Sequence, residues 1–250
     1  RADIILLSIL KDEWFEKAMS MQTGVHIKYF TAYNMNGYDP VLADLFLKGE
    51  FVSLSANKVY HFFAREKHHT DRTITDADKF LHVGVDFNIG GCCAVISVID
   101  GKDPITVDEF ISHDTRDFCA RLSKYEQQGR KITVYPDASG KSGSTNATGS
   151  DIDIIRQHGY AVDCPNANPM VRDRINAVNG LLSHDRWLVN TDTCPQLTDA
   201  LESQGYVKGQ PEKFSEHPAI DDWVDAAGYF INRKWSLGRP VVVTDIGMAR

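Results

Sequence analysis

Two aspartates end apolar runs of the sequence, a position where a charged side chain needs a partner. Asp86 lies near the end of HVGVDF, and Asp137 ends KITVYPD. A carboxylate in an otherwise buried strand costs free energy unless it is hydrogen-bonded or bound to a metal ion. Taken singly, each is more simply explained as a turn former, because aspartate is common where strands end.

Three further aspartates, Asp221, Asp222 and Asp225, lie close together in the helix-like segment HPAIDDWVDAAGYF. Asp225 follows Asp221 by four residues and Asp222 by three, so it shares a helix face with both. Acids in the first turns of a helix also interact favourably with its dipole. Two strand-end acids combined with a helix cluster, however, are what a two-metal phosphodiester site needs, because hard oxygen ligands hold Mg²⁺ or Mn²⁺.

The stretch SGKS, which includes Gly140 and Lys141, has the local appearance of a phosphate-binding loop. A Walker loop requires glycine five positions before the Gly-Lys pair, and Tyr135 occupies that position. A strand-ending aspartate precedes the stretch and no helix follows it directly. We therefore interpret it as part of a flexible Ser/Gly-rich loop.

The adjacent histidines His68 and His69 in REKHHTD are the other candidate metal ligands. Neighbouring side chains on an extended segment point in opposite directions, so the two cannot readily share one ion. A solvated loop is the favoured interpretation.

The composition is that of a globular protein: 250 residues, 42% hydrophobic, with a net charge of −7. The negative charge disfavours a nucleic-acid binder, although a nuclease that keeps carboxylates for metal ions can be acidic. The five cysteines form no CxxC pair, which predicts free thiols in a reducing compartment. No signal peptide is evident, the apolar run IILLSIL is too short to span a membrane, and the start at Arg1 suggests a piece of a longer protein.

The elements that must position these acids become clear from Leu81 onward. Three hairpin-connected strands are predicted, followed by alternating helices and strands and then by helices. Upstream, VYHFFAR is strand-like and VLADLFLKG suits a short helix. The order predicts an α/β fold with a mixed sheet flanked by helices. The core face of the last helix should comprise Trp223, Ala226, Ala227 and Phe230.

Four segments with this order resemble the RNase H-like superfamily and, within it, the C-terminal nuclease domain of the large terminase subunit of tailed bacteriophages. They are HVGVDFNIGG, VYPDASG with its polar loop, NPMVRDRINAVNGLL and HPAIDDWVDAAGYF. The upstream LFLKGEFVSLSANKVYHFF also resembles the lead-in to that domain, so the likeness covers roughly residues 40–235. It implies three antiparallel strands followed by parallel ones in residues 79–250. Residues 1–78 would be the lead-in segment and the tail or linker of an ATPase domain.

The resemblance implies an endonuclease that uses two Mg²⁺ or Mn²⁺ ions and cuts concatemeric double-stranded DNA with little sequence preference. Asp86 and Asp137 would be metal ligands and catalytic. The third acid is open among Asp221, Asp222 and Asp225, with the last two preferred. Implied partners are DNA, a portal protein and a small terminase subunit, with no membrane, in the host cytoplasm and not in the mature virion. No Walker motif is present, so the chain itself should lack ATPase activity.

Groups that contact DNA are predicted less directly. One polar face of the helix NPMVRDRINAVNGLL, opposite the apolar stripe, is a candidate, as are lysines in two loops; solvated surface is the alternative. These candidates are Arg172, Asn176, Asn179, Lys141, Lys208 and Lys213.

Two other functions remain open. A resolvase or transposase of the same superfamily would need a basic or zinc-bearing DNA-reading module, and none is visible in the sequence. A non-catalytic docking module of the packaging motor would have no reason to keep the full set of acids. If the acids do bind metal, replacing Asp86, Asp137 or Asp225 by asparagine should nearly abolish cleavage and hold or slightly raise thermal stability in metal-free buffer. Plasmid cleavage assays and melting curves measure the two effects.

The Walker-like stretch yields a direct prediction. Because it lacks the first glycine, Lys141→Ala should change no nucleotide binding, since none is present to lose. Calorimetric titration of both proteins with ATP checks this. Clear ATP binding by the parent that the substitution abolishes would contradict our interpretation of the loop.

Overall fold

The computed structural model describes residues 26–32, 58–88, 91–126, 129–141, 150–207, 210–214, 218–236 and 241–247. The chain divides into two compact units, one made of residues 1–55 with 237–250 and the other of residues 56–236. All the predicted site residues belong to the second unit, which begins upstream of the predicted boundary at residue 79. The origin of residues 1–78 in an ATPase domain stays a prediction.

Ten strands lie in the described residues. They are β1 (His26–Ala32), β2 (Phe80–Asn88), β3 (Gly91–Asp100), β4 (Asp103–Ser112), β5 (Lys131–Pro136), β6 (Ala161–Val162), β7 (Leu188–Val189), β8 (Tyr206–Val207), β9 (Gln210–Phe214) and β10 (Val241–Gly247). In the first unit, β1 pairs with β10 antiparallel, with His26 opposite Gly247. In the second, β8 and β9 form a hairpin and six strands form the main sheet.

Six α-helices are found in the same described part of the chain. They are α1 (Arg65–His68), α2 (Thr115–Glu126), α3 (Asp151–Gln157), α4 (Val171–Ser183), α5 (Pro195–Ser203) and α6 (Pro218–Trp235). Local chemistry explains where several begin: Ser150 Oγ accepts from Asp153 N ahead of α3, and α5 and α6 each open with proline. None of the described helices is long and apolar enough to cross a membrane.

The main sheet has the strand order β6-β5-β2-β3-β4-β7. β2, β3 and β4 are consecutive antiparallel neighbours, β5 and β6 extend the sheet in parallel beside β2, and β7 runs parallel to β4. The predicted fold class, three antiparallel strands followed by parallel ones with flanking helices, is confirmed.

Each face of the sheet carries its own core, because side chains alternate along β2. Leu81, Val83 and Val85 face one way and pack with residues of α2 and α3. On the opposite face, residues of α4, α5 and α6 pack against β3 and β5. The predicted core face of α6 is confirmed, since Trp223, Ala226, Ala227 and Phe230 are all buried.

The segment before β2 differs from its predicted form. VYHFFAR was expected to be a strand, but residues 59–62 form turns and α1 follows. Its apolar side chains are buried all the same: Val59, Tyr60 and Phe63 join the core beneath α4 and α6. Burial of isolated apolar residues in a turn gives the same sequence pattern as a short strand, which explains the error.

His68 also differs from its predicted form, because it is buried and does not lie in a solvated loop. Its Nε2 lies 3.0 Å from the carbonyl oxygen of Leu182, and its Nδ1 lies 3.1 Å from the backbone of Ala64. Leu182 lies in the last turn of α4, where carbonyls lack partners within the helix. His68 therefore joins the lead-in segment to the end of α4.

Helix α6 lies very close to the sheet at Gly84. A Cβ atom added there would overlap the backbone oxygen of Ala226. Helix backbone thus lies directly on strand backbone, and only glycine leaves room for it.

Gly84→Ala should therefore lower the free energy of unfolding by at least about 2 kcal/mol, because the clash is with backbone that cannot turn aside. Denaturant unfolding monitored by circular dichroism measures it.

Gly228→Ala in α6 is the matched control. Its added Cβ would meet Arg174 at 3.6 Å, an ordinary contact, and alanine has the higher helix propensity. Equal losses in both variants would show that the contact at Gly84 is not tight.

Candidate metal centre

The register between β2 and β5 brings the two strand-end aspartates together. The strands run parallel, with Val85 opposite Pro136, so Asp86 and Asp137 are the next residues at the same edge of the sheet. Asp137 is only 5% exposed. The backbone just after it is held by Asn168, whose Oδ1 accepts from Ala138 N.

Helix α6 follows the same face of β2 in matching steps. The His82 and Phe230 rings stack with centroids 5.1 Å apart, and Gly84 lies against Ala226. Four residues of helix rise about 6 Å and two residues of strand about 6.6 Å, so the next pair in this series is Asp86 and Asp222.

The electrostatics confirm that the acids from the sheet and the helix are neighbours. Burial, followed in order of size by the charges of Asp225, Asp137 and Asp222, raises the pKa of Asp86 to about 8. Burial likewise raises the pKa values of Asp222 and Asp225. The structure therefore gathers four carboxylates at one end of the sheet, on two strands and one helix.

Asp221 faces a different partner. Gln204 Nε2 donates to Asp221 Oδ1 at 2.7 Å, and Gln204 is fully buried at the end of α5. Burial, followed by the charges of Asp225 and Asp222, raises the pKa of Asp221 to about 6. Asp86 is not among the largest influences on this carboxyl. Its assignment as a ligand stays a prediction, as does the choice between Asp222 and Asp225.

A buried cation completes the cluster, and the sequence analysis missed it. Arg174 is 5% exposed, and its Nη2 donates to Asp225 Oδ2 at 2.6 Å. Its guanidinium lies over the Tyr229 ring, 4.5 Å from the centroid. The available signal was helical spacing, because Arg174 lies four residues before Val178 on the apolar stripe of α4.

The residues predicted to contact DNA divide into three groups. Arg172 is exposed on α4, and its contact with DNA stays a prediction. The polar face predicted for Asn176 and Asn179 is wrong: both are buried, and Asn179 Nδ2 donates to the backbone oxygen of Val59 at 2.9 Å. The lead-in segment covers this side of α4, which the helix periodicity alone could not show. Lys208 and the side chains of Lys141 and Lys213 lie outside the described residues.

The donor set of the cluster fits hard divalent cations. All four candidate ligands are buried or partly buried carboxylates. The single positive charge of Arg174, which pairs with one of them, does not balance the negative charge of the fully ionised group. Within the described ranges, three potential ligand atoms lie within 4.8 Å of one another only at His69, Asp71 and Asp192. No three of the four site acids meet that distance.

Comparison with protein families matches residues 83–234, which are 152 of the 250 residues, to the family described as "Terminase RNaseH-like domain". A family described as "Putative porin" matches residues 9–73, most of which lie outside the described ranges. Comparison with curated proteins gave no significant match.

Solved structures with the same fold include large terminases and their nucleases. The large terminase of a thermophilic bacteriophage, in complex with ATP-gamma-S, is 17% identical, with a TM-score of 0.62 over 89% of this chain and 52% of that chain. The large terminase nuclease of the thermophilic phage G20c with bound magnesium is 15% identical, with a TM-score of 0.52 over 71% of this chain and 97% of that chain. The cobalt-bound form of that nuclease gives 14% and 0.53. The chain thus spans about half the length of the first of these proteins.

The raised pKa of Asp86 predicts how metal-free stability depends on pH. The folded state keeps a proton that the unfolded state loses above about pH 4. This contribution to stability is lost as the pH rises toward 8, by about 1 kcal/mol between pH 7 and pH 8. Asp86→Asn should remove that loss, so it should become more stable than wild type as the pH rises. Denaturant unfolding in chelator at the two pH values measures it.

Asp71→Asn serves as the control, because Asp71 is 93% exposed and should keep the wild-type pH dependence. Buried thiols and histidines are identical in all three proteins and cancel in the comparison. A parallel decline in wild type and Asp86→Asn would contradict the burial of this carboxyl among like charges.

Proposed function

The chain belongs to the terminase RNaseH-like domain family, and we propose that it is a nuclease that hydrolyses DNA with two divalent metal ions, Mg²⁺ or Mn²⁺. The observation that carries the proposal is the parallel register of β2 and β5, which sets Asp86 beside Asp137 under the acids of α6. Carboxylates brought together from three separate elements are expensive to bury, and a divalent cation compensates for their charge.

The candidate ligands come from two parts of the fold, the sheet and helix α6. Asp86 and Asp137 would hold the metal ions from the sheet, and Asp222 and Asp225 would hold them from α6. Asn88 lies beside two of these acids: its Nδ2 is 3.5 Å from Asp86 Oδ2, and its hydrogen bond favours the ionised form of Asp222. When bound, such ions activate a water molecule and stabilise the leaving oxygen of a phosphodiester. The protein would supply the oxygen ligands from the ends of two strands and from α6.

We further propose that the substrate is concatemeric double-stranded viral DNA, cut with little sequence preference during genome packaging. The family supports this, and so do the phage terminases of the same fold. A portal protein, a small terminase subunit and the host cytoplasm as the place of action follow from the same proposal. The net charge of −7 implies that this chain alone binds DNA weakly and in a salt-sensitive way.

Metal-dependent cleavage is the test of this function. Purified protein should nick and linearise supercoiled plasmid with Mn²⁺ in the absence of ATP, and chelator should stop the reaction. Asp86→Asn and Asp137→Asn should each lower the rate at least about 100-fold, because each removes a ligand of a shared site. Agarose gels of timed reactions give the rates.

His69→Ala and Asp71→Asn are matched controls, because they alter the other cluster of potential ligands without touching the four site acids. Both should cut at the parent rate. Cleavage that survives chelator, or that depends on His69 and not on Asp137, would overturn the assignment. Absence of cleavage under all conditions would favour a non-catalytic docking module. Asp221→Asn and Asp222→Asn tested alongside identify the third acid.

A further inference from the structure

Arg174 is an unusual residue for the position it occupies. It lies on the apolar side of α4, it is 5% exposed, and it is the cation paired directly with one of the four site acids. A buried arginine is costly unless its charge is compensated. The groups around Arg174 must therefore compensate its positive charge.

The direct hydrogen bonding of this guanidinium is sparse. Nη2 donates to Asp225 Oδ2 at 2.6 Å, whereas the buried Nε has no hydrogen-bond partner in the described part of the chain. One planar face lies over the Tyr229 ring. On α6, Gly228 lies beside the alkyl stem of Arg174, which is 3.6 Å from where a Cβ would lie, an ordinary packing distance. The site is thus shaped to hold an arginine against Asp225.

The charge of the whole cluster supplies the remaining compensation. Arg174 lowers the pKa values of both Asp86 and Asp225, so its field reaches from the helix acid to the strand acid. A single positive charge among four carboxylates reduces their repulsion without cancelling it. That leaves negative charge for further cations.

We propose that Arg174 is a built-in counter-charge of the metal site, a positioning residue that holds Asp225 and limits carboxylate repulsion until divalent ions bind. The part of this inference that concerns metal ions rests on the proposed function, whereas the pairing of Arg174 with Asp225 does not. One expectation from the sequence changes: Asp225→Asn should lower metal-free stability, because it removes the carboxylate that is hydrogen-bonded to a buried guanidinium.

A double-mutant cycle in chelator at pH 8 tests the pairing. Arg174→Met and Asp225→Asn should each lower the melting temperature by roughly 5–10 °C, because each leaves its partner's charge uncompensated. The double variant should lose clearly less than the sum, since neither charge is then left alone. Additive losses would show that Arg174 acts only through packing.

A metal titration tests the counter-charge. The rise in melting temperature on adding Mn²⁺ should be larger for Arg174→Met than for wild type, because the ions then relieve more repulsion. Arg172→Met is the matched control, an exposed arginine two residues away on the same helix, and should give the wild-type rise. An equal rise in Arg174→Met and wild type would overturn the proposal.

The two measurements also separate this inference from the proposed function. If the double-mutant cycle shows coupling but Mn²⁺ does not raise the melting temperature of wild type, the proposed metal site is wrong and the ion pair between Arg174 and Asp225 stands. If Arg174→Met alone does not fold, the double variant must fold for the proposal to hold. A double variant that is also unfolded would count against it.

Discussion

The contact of helix α6 with strand β2 at Gly84 is the constraint on which the rest of the site depends. With no side chain at that residue, the helix backbone lies directly on the strand. The rise of the helix then keeps step with the rise of the strand, from His82 and Phe230 at one end to Asp86 and Asp222 at the other. The packing of α6 on the core therefore also determines where its acids lie, because one face of the helix carries both the core residues and the acids.

Gathering buried acids at one end of the sheet costs folding free energy, and the proposed metal binding is what they would serve. Burial and the charges of neighbouring acids raise the pKa values of Asp86 and Asp225, so the fold holds these two in the charged form only with difficulty. Functional sites commonly keep such unfavourable groups, which a purely structural sheet edge would have lost. The buried arginine and the stacked Tyr229 show where part of that cost is offset within the protein.

The sequence predicted those parts of the structure that depend on local periodicity. The strand and helix order from β2 onward, the core face of α6 and the position of Asp86 and Asp137 at strand ends all follow from alternation, helical spacing and turn residues. Arg174, His68 and Asn179 could not be predicted in this way, because each is buried by a partner distant in the chain. Asn179 has the polarity of a surface residue, and its hydrogen bond to the backbone oxygen of Val59 offsets part of the cost of its burial.

The shared role of α6 restricts how this chain can diverge. One inserted residue between Asp222 and Phe230 would rotate the first half of the helix by about 100° relative to the second. Either the aromatic stack on His82 or the acids above Asp86 would then turn away from β2. Insertions in this helix are thus excluded by two separate requirements at once. Lineages of this domain should differ in loop length while the spacing inside α6 stays invariant.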